Sequence, residues 1–218
     1  MAAKIFNKMI GIIDTESQNI GSIENCLKFL KIKFDIINHP KSIKNYHKII
    51  LPGVGSFDAV TNSLKQKNFF KYDLKNIFSK KQILAICVGL QVLFTKSDEG
   101  KNKGINFFNG KINSLKKMKC SEPVPHVGYN SIKLSKKNVQ LSKILEKDFY
   151  FTHSYALEKK FFDNSFRGNY GTTRYGKVEF ISLIEYQNIL ATQFHPEKSG
   201  EAGLNLLKYF YEKKKNNF

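Results

Sequence analysis

Three groups of residues in this chain have the side chains and the spacing for acyl transfer. Cys87 stands in Ala85-Ile-Cys-Val-Gly-Leu-Gln91, between an apolar run and a helix-like segment. A sharp strand-to-helix turn at that point would lift the sulfur over a sheet and aim the following amides at it. The helix start would also favour the thiolate. Taken alone, a cysteine after a strand is more often a buried structural residue. His195 and Glu197 follow another apolar run in Thr192-Gln-Phe-His-Pro-Glu-Lys198. An imidazole there could take the thiol proton and return it to a leaving group, and the carboxylate could fix the imidazole's tautomer. Pro52-Gly-Val-Gly55 is the third group. Its glycines would let backbone N–H groups point at a developing oxyanion, the plainer alternative being a strand-to-helix turn.

The elements that must position these groups are legible as runs and periods. Met9 to Asp14 is a short apolar run ending in an acid, which suits a buried first strand. Asn19 to Lys31 places Ile20, Ile23, Leu27 and Leu30 at spacings of three and four, an amphipathic helix. Residues 34–37 and 48–51 read as strands. Ser56 is a plausible N-cap for a helix to Lys65 that turns Phe57, Val60 and Leu64 to one side. Residues 83–86 form the strand before Cys87, and a helix follows to about Phe94. This alternation predicts an α/β fold: a mostly parallel central sheet with helices on both faces, whose ligands sit beyond the carboxyl ends of the strands. From Ile105 to Phe194 the texture changes to short aromatic and β-branched segments, such as 128–132, 149–151, 178–184 and 188–192, read as added antiparallel strands. Gly200 to Lys213 reads as a closing helix with Leu204, Leu207 and Phe210 inward, and Lys213 to Lys215 as a solvated end.

Composition narrows the class of function. The 218 residues are 41% hydrophobic with 14 glycines, ordinary for a globular domain, and no linker divides them, so a single domain over 1–218 is expected. No apolar run reaches the roughly 20 residues of a membrane span, and the N-terminus lacks a signal-peptide pattern, so a cytoplasmic location without membrane association is expected. The net charge of +18 raises nucleic-acid binding as an alternative. Only Arg167 and Arg174 are arginine, and the lysines are spread out, so no nucleic-acid partner is expected. Cys26, Cys87 and Cys120 show no metal-ligand spacing, nor do His39, His47, His126, His153 and His195. With GxxxxGK[ST] and GxGxxG also missing, neither a metal nor a cofactor is expected.

Leu84-Ala-Ile-Cys-Val-Gly-Leu-Gln91 together with Gln193-Phe-His-Pro-Glu197 resembles the class I, or triad, glutamine amidotransferases, and the resemblance runs over essentially all of residues 9 to 212. Leu51 to Phe57, Ser97-Asp-Glu-Gly100, Val124-Pro-His-Val-Gly-Tyr-Asn130, Tyr150 to Tyr155 and Phe194 to Ser199 are most similar to the glutaminase subunits of imidazole glycerol phosphate synthases. The resemblance implies hydrolysis of L-glutamine to glutamate and ammonia through a γ-glutamyl thioester on Cys87. The ammonia would pass to a TIM-barrel cyclase/synthase subunit in a heterodimer. By position, His195 is the general base and acid, Glu197 orients it, and Val88 with Gly53 and Val54 forms the oxyanion hole. Gln91 and Glu99 match positions holding the substrate's backbone charges, and Asn19, Tyr129 and Lys198 fall where the partner would meet the chain. Members often keep the oxyanion loop misaligned until the partner's ligand binds, so the lone subunit is expected to be slow.

The sequence departs from that pattern in three places. Ala85 stands where glycine is usual, which requires a negative φ. Asp14 to Asn19 lacks the usual glycines, and Tyr129 replaces a common tryptophan. Because these changes fall mainly toward the partner surface, two alternatives stay open. The same glutaminase chemistry could supply a related synthase that amidates a surface-polysaccharide or glycan sugar, or the fold could serve as a catalytically silent scaffold. His126 and His153 are expected to pack or hydrogen-bond and take no part in catalysis.

Overall fold

The computed structural model describes residues 9–16, 18–136, 138–161 and 166–213. In its first half, β1 (Ile10–Ile13) is followed by α1 (Ile20–Phe29), β2 (Phe34–Ile37), β3 (Lys48–Leu51), α2 (Phe57–Gln66), α3 (Leu74–Ser79), β4 (Gln82–Ile86) and the short α4 (Val88–Val92). The second half contains β5 (Lys96–Ser97), β6 (Lys111–Ser114), β7 (His126–Asn130), β8 (Lys133–Leu134), α5 (Val139–Ile144), β9 (Phe149–His153) and β10 (Tyr155–Glu158). It ends with β11 (Asn169–Tyr175), β12 (Val178–Tyr186), β13 (Ile189–Thr192) and α6 (Gly200–Glu212).

Eleven of these strands form one sheet, with the path β2-β1-β3-β4-β13-β12-β10-β6-β5 and with β11 and β8 branching from β12. The strands β2, β1, β3, β4 and β13 run parallel. The buried, Ile- and Leu-rich sequences of β1, β3, β4 and β13 fit strands covered on both faces, while β2 at the edge is mostly half-buried. Beyond them β12 turns antiparallel to β13, and β10 to β12. A separate ribbon pairs β7 with β9. The chain is therefore α/β with antiparallel additions, as the change of texture near Ile105 predicts.

Local chemistry explains some of the boundaries. Ser56 Oγ accepts from the Ala59 amide at 3.1 Å and starts α2, whose Phe57, Val60 and Leu64 are buried. In α6 the inward face differs from expectation: Leu206, Leu207 and Phe210 are buried, while Leu204 is only half-buried. Lys213 is likewise no freely solvated end, since its Nζ reaches Glu185 Oε1 at 2.7 Å; Lys214 and Lys215 lie outside the described residues.

Candidate active site

Three neighbouring strands carry the chemistry. β4 lies between β3 and β13, with Leu51 level with Ala85 and Ile86 level with Thr192. The segments leaving their carboxyl ends, Pro52 to Gly55, Cys87 and Gln193 to Glu197, must emerge side by side. Cys87 takes φ 53° and ψ −108°, a conformation that costs on the order of 1–3 kcal/mol for a non-glycine residue. Its amide is tied to the Thr192 carbonyl at 2.7 Å. Close approach sets the glycine beside it, because a Cβ on Gly89 would stand 2.1 Å from the Leu51 carbonyl oxygen. Ala85 lies within β4 and is not among the positive-φ residues, so the departure from glycine is tolerated there.

His195 Nδ1 is 2.8 Å from Glu197 Oε1, and both side chains are fully buried. A carboxylate can only accept, so Nδ1 carries the proton and Nε2 is the free position. That Nε2 is buried and makes no hydrogen bond of good geometry to nitrogen or oxygen. Burial works against the imidazolium, but the Cys87 sulfur and the Glu197 carboxylate outweigh it and raise the His195 pKa above its ordinary value. A base held by a carboxylate and facing a thiol is the arrangement a cysteine nucleophile requires.

Cys87 and His195 line a cavity of about 370 Å³ together with Val54, Val88, Gln91 and Glu99, while Glu197 lies behind the imidazole. Burial pushes the Glu99 carboxyl up, although its Oε2 accepts from the Phe57 amide at 2.7 Å. Gln91 Nε2 donates to the Tyr155 carbonyl at 3.0 Å and to Gln193 Oε1 at 3.2 Å, leaving its buried Oε1 without a partner. An orphaned acceptor beside a carboxylate suits an ammonium-bearing ligand. The oxyanion donors are differently set. The Val88 N–H is engaged by the Gly53 carbonyl at 3.2 Å, so an oxyanion there must displace that carbonyl.

The three residues expected to face a partner divide. Tyr129 is 61% exposed on β7, and its hydroxyl donates to the Lys198 carbonyl at 3.0 Å. Lys198 is exposed, with Nζ 5.7 Å from the Tyr150 ring. Asn19 is buried, and its Nδ2 donates to Glu197 Oε1 at 2.8 Å. It thus holds the same oxygen as His195.

One feature was not singled out from sequence. Gln193 is fully buried, and its Nε2 donates to Cys87 Sγ at 3.6 Å. Its place between a strand and His195 was the available signal. His126 Nδ1 lies 3.2 Å from His153 Nε2, and His153 Nδ1 lies 3.0 Å from the Tyr155 carbonyl, bringing the pair beside the site by packing and hydrogen bonding. Among the described residues there is no group of three or more His, Cys, Asp or Glu able to hold a metal ion, and no helix is long and apolar enough to cross a membrane.

Comparison with known proteins covers nearly the whole chain, the site segments included. The family described as glutamine amidotransferase class-I matches residues 11–214. The imidazole glycerol phosphate synthase subunit HisH of Caldanaerobacter subterraneus subsp. tengcongensis is 40% identical over 209 residues, covering 94% of this chain and 98% of that protein. Imidazole glycerol phosphate synthase hisHF of Schizosaccharomyces pombe is 36% identical over 205 residues, which are 93% of this chain and 38% of that longer protein. Among solved structures, PurLQS from Thermotoga maritima matches with a TM-score of 0.66 at 16% identity, covering 94% of this chain and 97% of that one, a likeness of fold.

Proposed function

Because this chain belongs to the class-I glutamine amidotransferase family, we propose that it is the glutaminase subunit of an imidazole glycerol phosphate synthase, releasing ammonia from L-glutamine for histidine biosynthesis. The observation that carries the reading is that Cys87 and His195 line one cavity while Glu197 holds the His195 ring at 2.8 Å. The Cys87 thiolate attacks the side-chain amide carbon of glutamine and forms a tetrahedral oxyanion. The imidazolium of His195 gives its proton to the departing nitrogen, the C–N bond breaks, and ammonia leaves a γ-glutamyl thioester on the sulfur. Water, deprotonated by the now neutral His195, attacks the thioester; glutamate departs and the thiolate returns. Glu197 holds the imidazole in the required tautomer throughout.

Glu99 and the unpartnered Gln91 Oε1 suit the substrate's ammonium. The names of the relatives favour the histidine-pathway acceptor over a glycan sugar. The fused hisHF, more than twice as long as the aligned region, supports a cyclase partner of separate sequence, here a TIM-barrel subunit meeting the Tyr129 and Lys198 face.

The test is a complex of the chain with its native partner. His195→Ala should cut glutamine-dependent synthesis by orders of magnitude and spare synthesis from added ammonia. Equal loss of both would make the histidine structural. Rescue of a histidine auxotroph by the pair identifies the acceptor, and failure to rescue while glutamine is still hydrolysed would point to sugar amidation.

A further inference from the structure

We propose that Gln193 is a further catalytic residue whose side-chain amide donates a hydrogen bond to the Cys87 thiolate, and that Gln91 keeps that amide in the donating orientation. The inference rests on the reading of Cys87 as the nucleophile. Its basis is a chain of donors and acceptors in which every orientation is forced. The Tyr155 carbonyl can only accept, so the end of Gln91 at 3.0 Å from it is Nε2. The same Nε2 lies 3.2 Å from the Gln193 side chain, so the Gln193 atom facing it is the acceptor Oε1. That leaves Gln193 Nε2 toward the sulfur, 3.6 Å away.

Gln193 is fully buried and Gln91 is 2% exposed, so neither amide can exchange these partners for bulk water. A flipped Gln193 would set its carbonyl against the sulfur and its N–H groups against those of Gln91. Both contacts would then be lost. The Gln193 backbone is fixed as well, its N–H donating to the Ser182 carbonyl at 2.9 Å. An N–H held against a buried sulfur stabilises the anion relative to the thiol. His195 meets the sulfur as the proton carrier, and Gln193 holds it without titrating. The nucleophile thus has two supports, only one of which changes protonation during turnover.

The experiment is the pH dependence of Cys87 alkylation by iodoacetamide in the purified chain, compared between the unsubstituted protein and Gln193→Met, which keeps length but removes the donor. The apparent thiol pKa should rise by about one unit in Gln193→Met, with alkylation below that pKa slowed about tenfold. Gln193→Glu, placing a carboxylate against the sulfur, should raise it further. An unchanged profile in a folded Gln193→Met protein overturns the proposal, since a merely structural glutamine would move the melting temperature alone.

A second measurement needs no substitution at Gln193. The 15N side-chain amide resonance of Gln193 should shift with the Cys87 titration and lose that titration in Cys87→Ala; a resonance indifferent to the thiol overturns the proposal even if the variants do not fold. The two readings fail separately. If the unsubstituted complex hydrolyses no glutamine, the proposed activity is wrong, whereas the alkylation profile still reports whether Gln193 supports the thiolate.

Discussion

The Val88 amide nitrogen lies 3.2 Å from the Gly53 carbonyl oxygen and donates to it. A group positioned to stabilise an oxyanion is therefore satisfied by the loop that should open the hole. Gly53 is packed onto the elbow, since a Cβ there would stand 2.6 Å from the Gly89 nitrogen, whereas Gly55 takes φ +90°. Turning the Gly53 carbonyl away would break this backbone hydrogen bond, a net cost on the order of 1 kcal/mol for that bond, and free the Val88 N–H. The chain alone should hydrolyse glutamine slowly, and adding its partner with the acceptor substrate should raise kcat by about a hundredfold or more, the scale of losing one oxyanion donor. Steady-state glutaminase assays with and without partner check this. Full activity of the isolated chain would show that the Val88–Gly53 bond is no brake.

Asn19 offers a test of position against partner contact. Its Nδ2 and His195 Nδ1 both reach Glu197 Oε1 at 2.8 Å, while Glu197 Oε2 has no hydrogen-bond partner. Removing the amide leaves the orienting carboxylate with one restraint fewer. Asn19→Ala should lower glutamine kcat by about tenfold, corresponding to roughly 1.4 kcal/mol, with partner affinity and ammonia-dependent synthesis unchanged. A fall in partner affinity with kcat intact would instead support an interface role for Asn19.

What could be seen in the sequence, and what could not, follows from the range of the contacts involved. The strands at 34–37 and 48–51 and the Ser56 cap are set by nearest neighbours and short periods, and they match the structure. The triad was legible because each member leaves the end of an apolar strand. The inward turn of Asn19 depends on a residue 178 positions away, and the Gln91–Gln193 contact spans 102. No local pattern encodes such pairings. The amphipathic period of α6 admits Leu204 and Leu206 about equally, and only packing against the rest of the fold selects Leu206.

Two of the three buried histidines, His126 and His153, set an acid limit on stability. His153 Nδ1–H donates to the Tyr155 carbonyl, so its Nε2 must accept from His126 Nδ1–H, and both rings are neutral. Burial lowers the His126 pKa to about 4; burial, together with His126 and His195, lowers that of His153 to about 3. In the unfolded chain both take protons near pH 6.5. The unfolded state then binds more protons between about pH 6.5 and 4, so stability is fully present above that range and is lost as pH falls through it, by about 1.4 kcal/mol per pH unit for each histidine. Urea unfolding at pH 7, 6 and 5 measures the slope. His126→Phe, which keeps a ring against Tyr175, should flatten it by about one proton, and an unchanged slope would remove the pair from the account.

Asp98 is tied to β6 and directly precedes Glu99, so its loss is expected to weaken substrate binding if Glu99 holds the substrate. Its carboxylate is met by Lys111 Nζ at 2.6 Å and Lys117 Nζ at 3.0 Å, and its Oδ2 accepts from the Ser114 amide at 3.2 Å. Burial opposes the charge, but the two lysines and the amide overcome it and lower the pKa to about 2. With the folded pKa below the unfolded one, the stabilisation is present above about pH 3.8 and is lost as pH falls through about 2. Because the lysines are 51% and 69% exposed, solvent screening limits it to about 1 kcal/mol. The larger effect should be geometric. Asp98→Asn weakens the tie to β6, and Glu99, the next residue, loses its fixed place at the cavity. The variant should raise KM for glutamine several-fold with a smaller change in kcat, since the thiol and imidazole are untouched. Initial-rate kinetics across glutamine concentrations would decide it. A fall in kcat at constant KM would separate Glu99 from substrate binding.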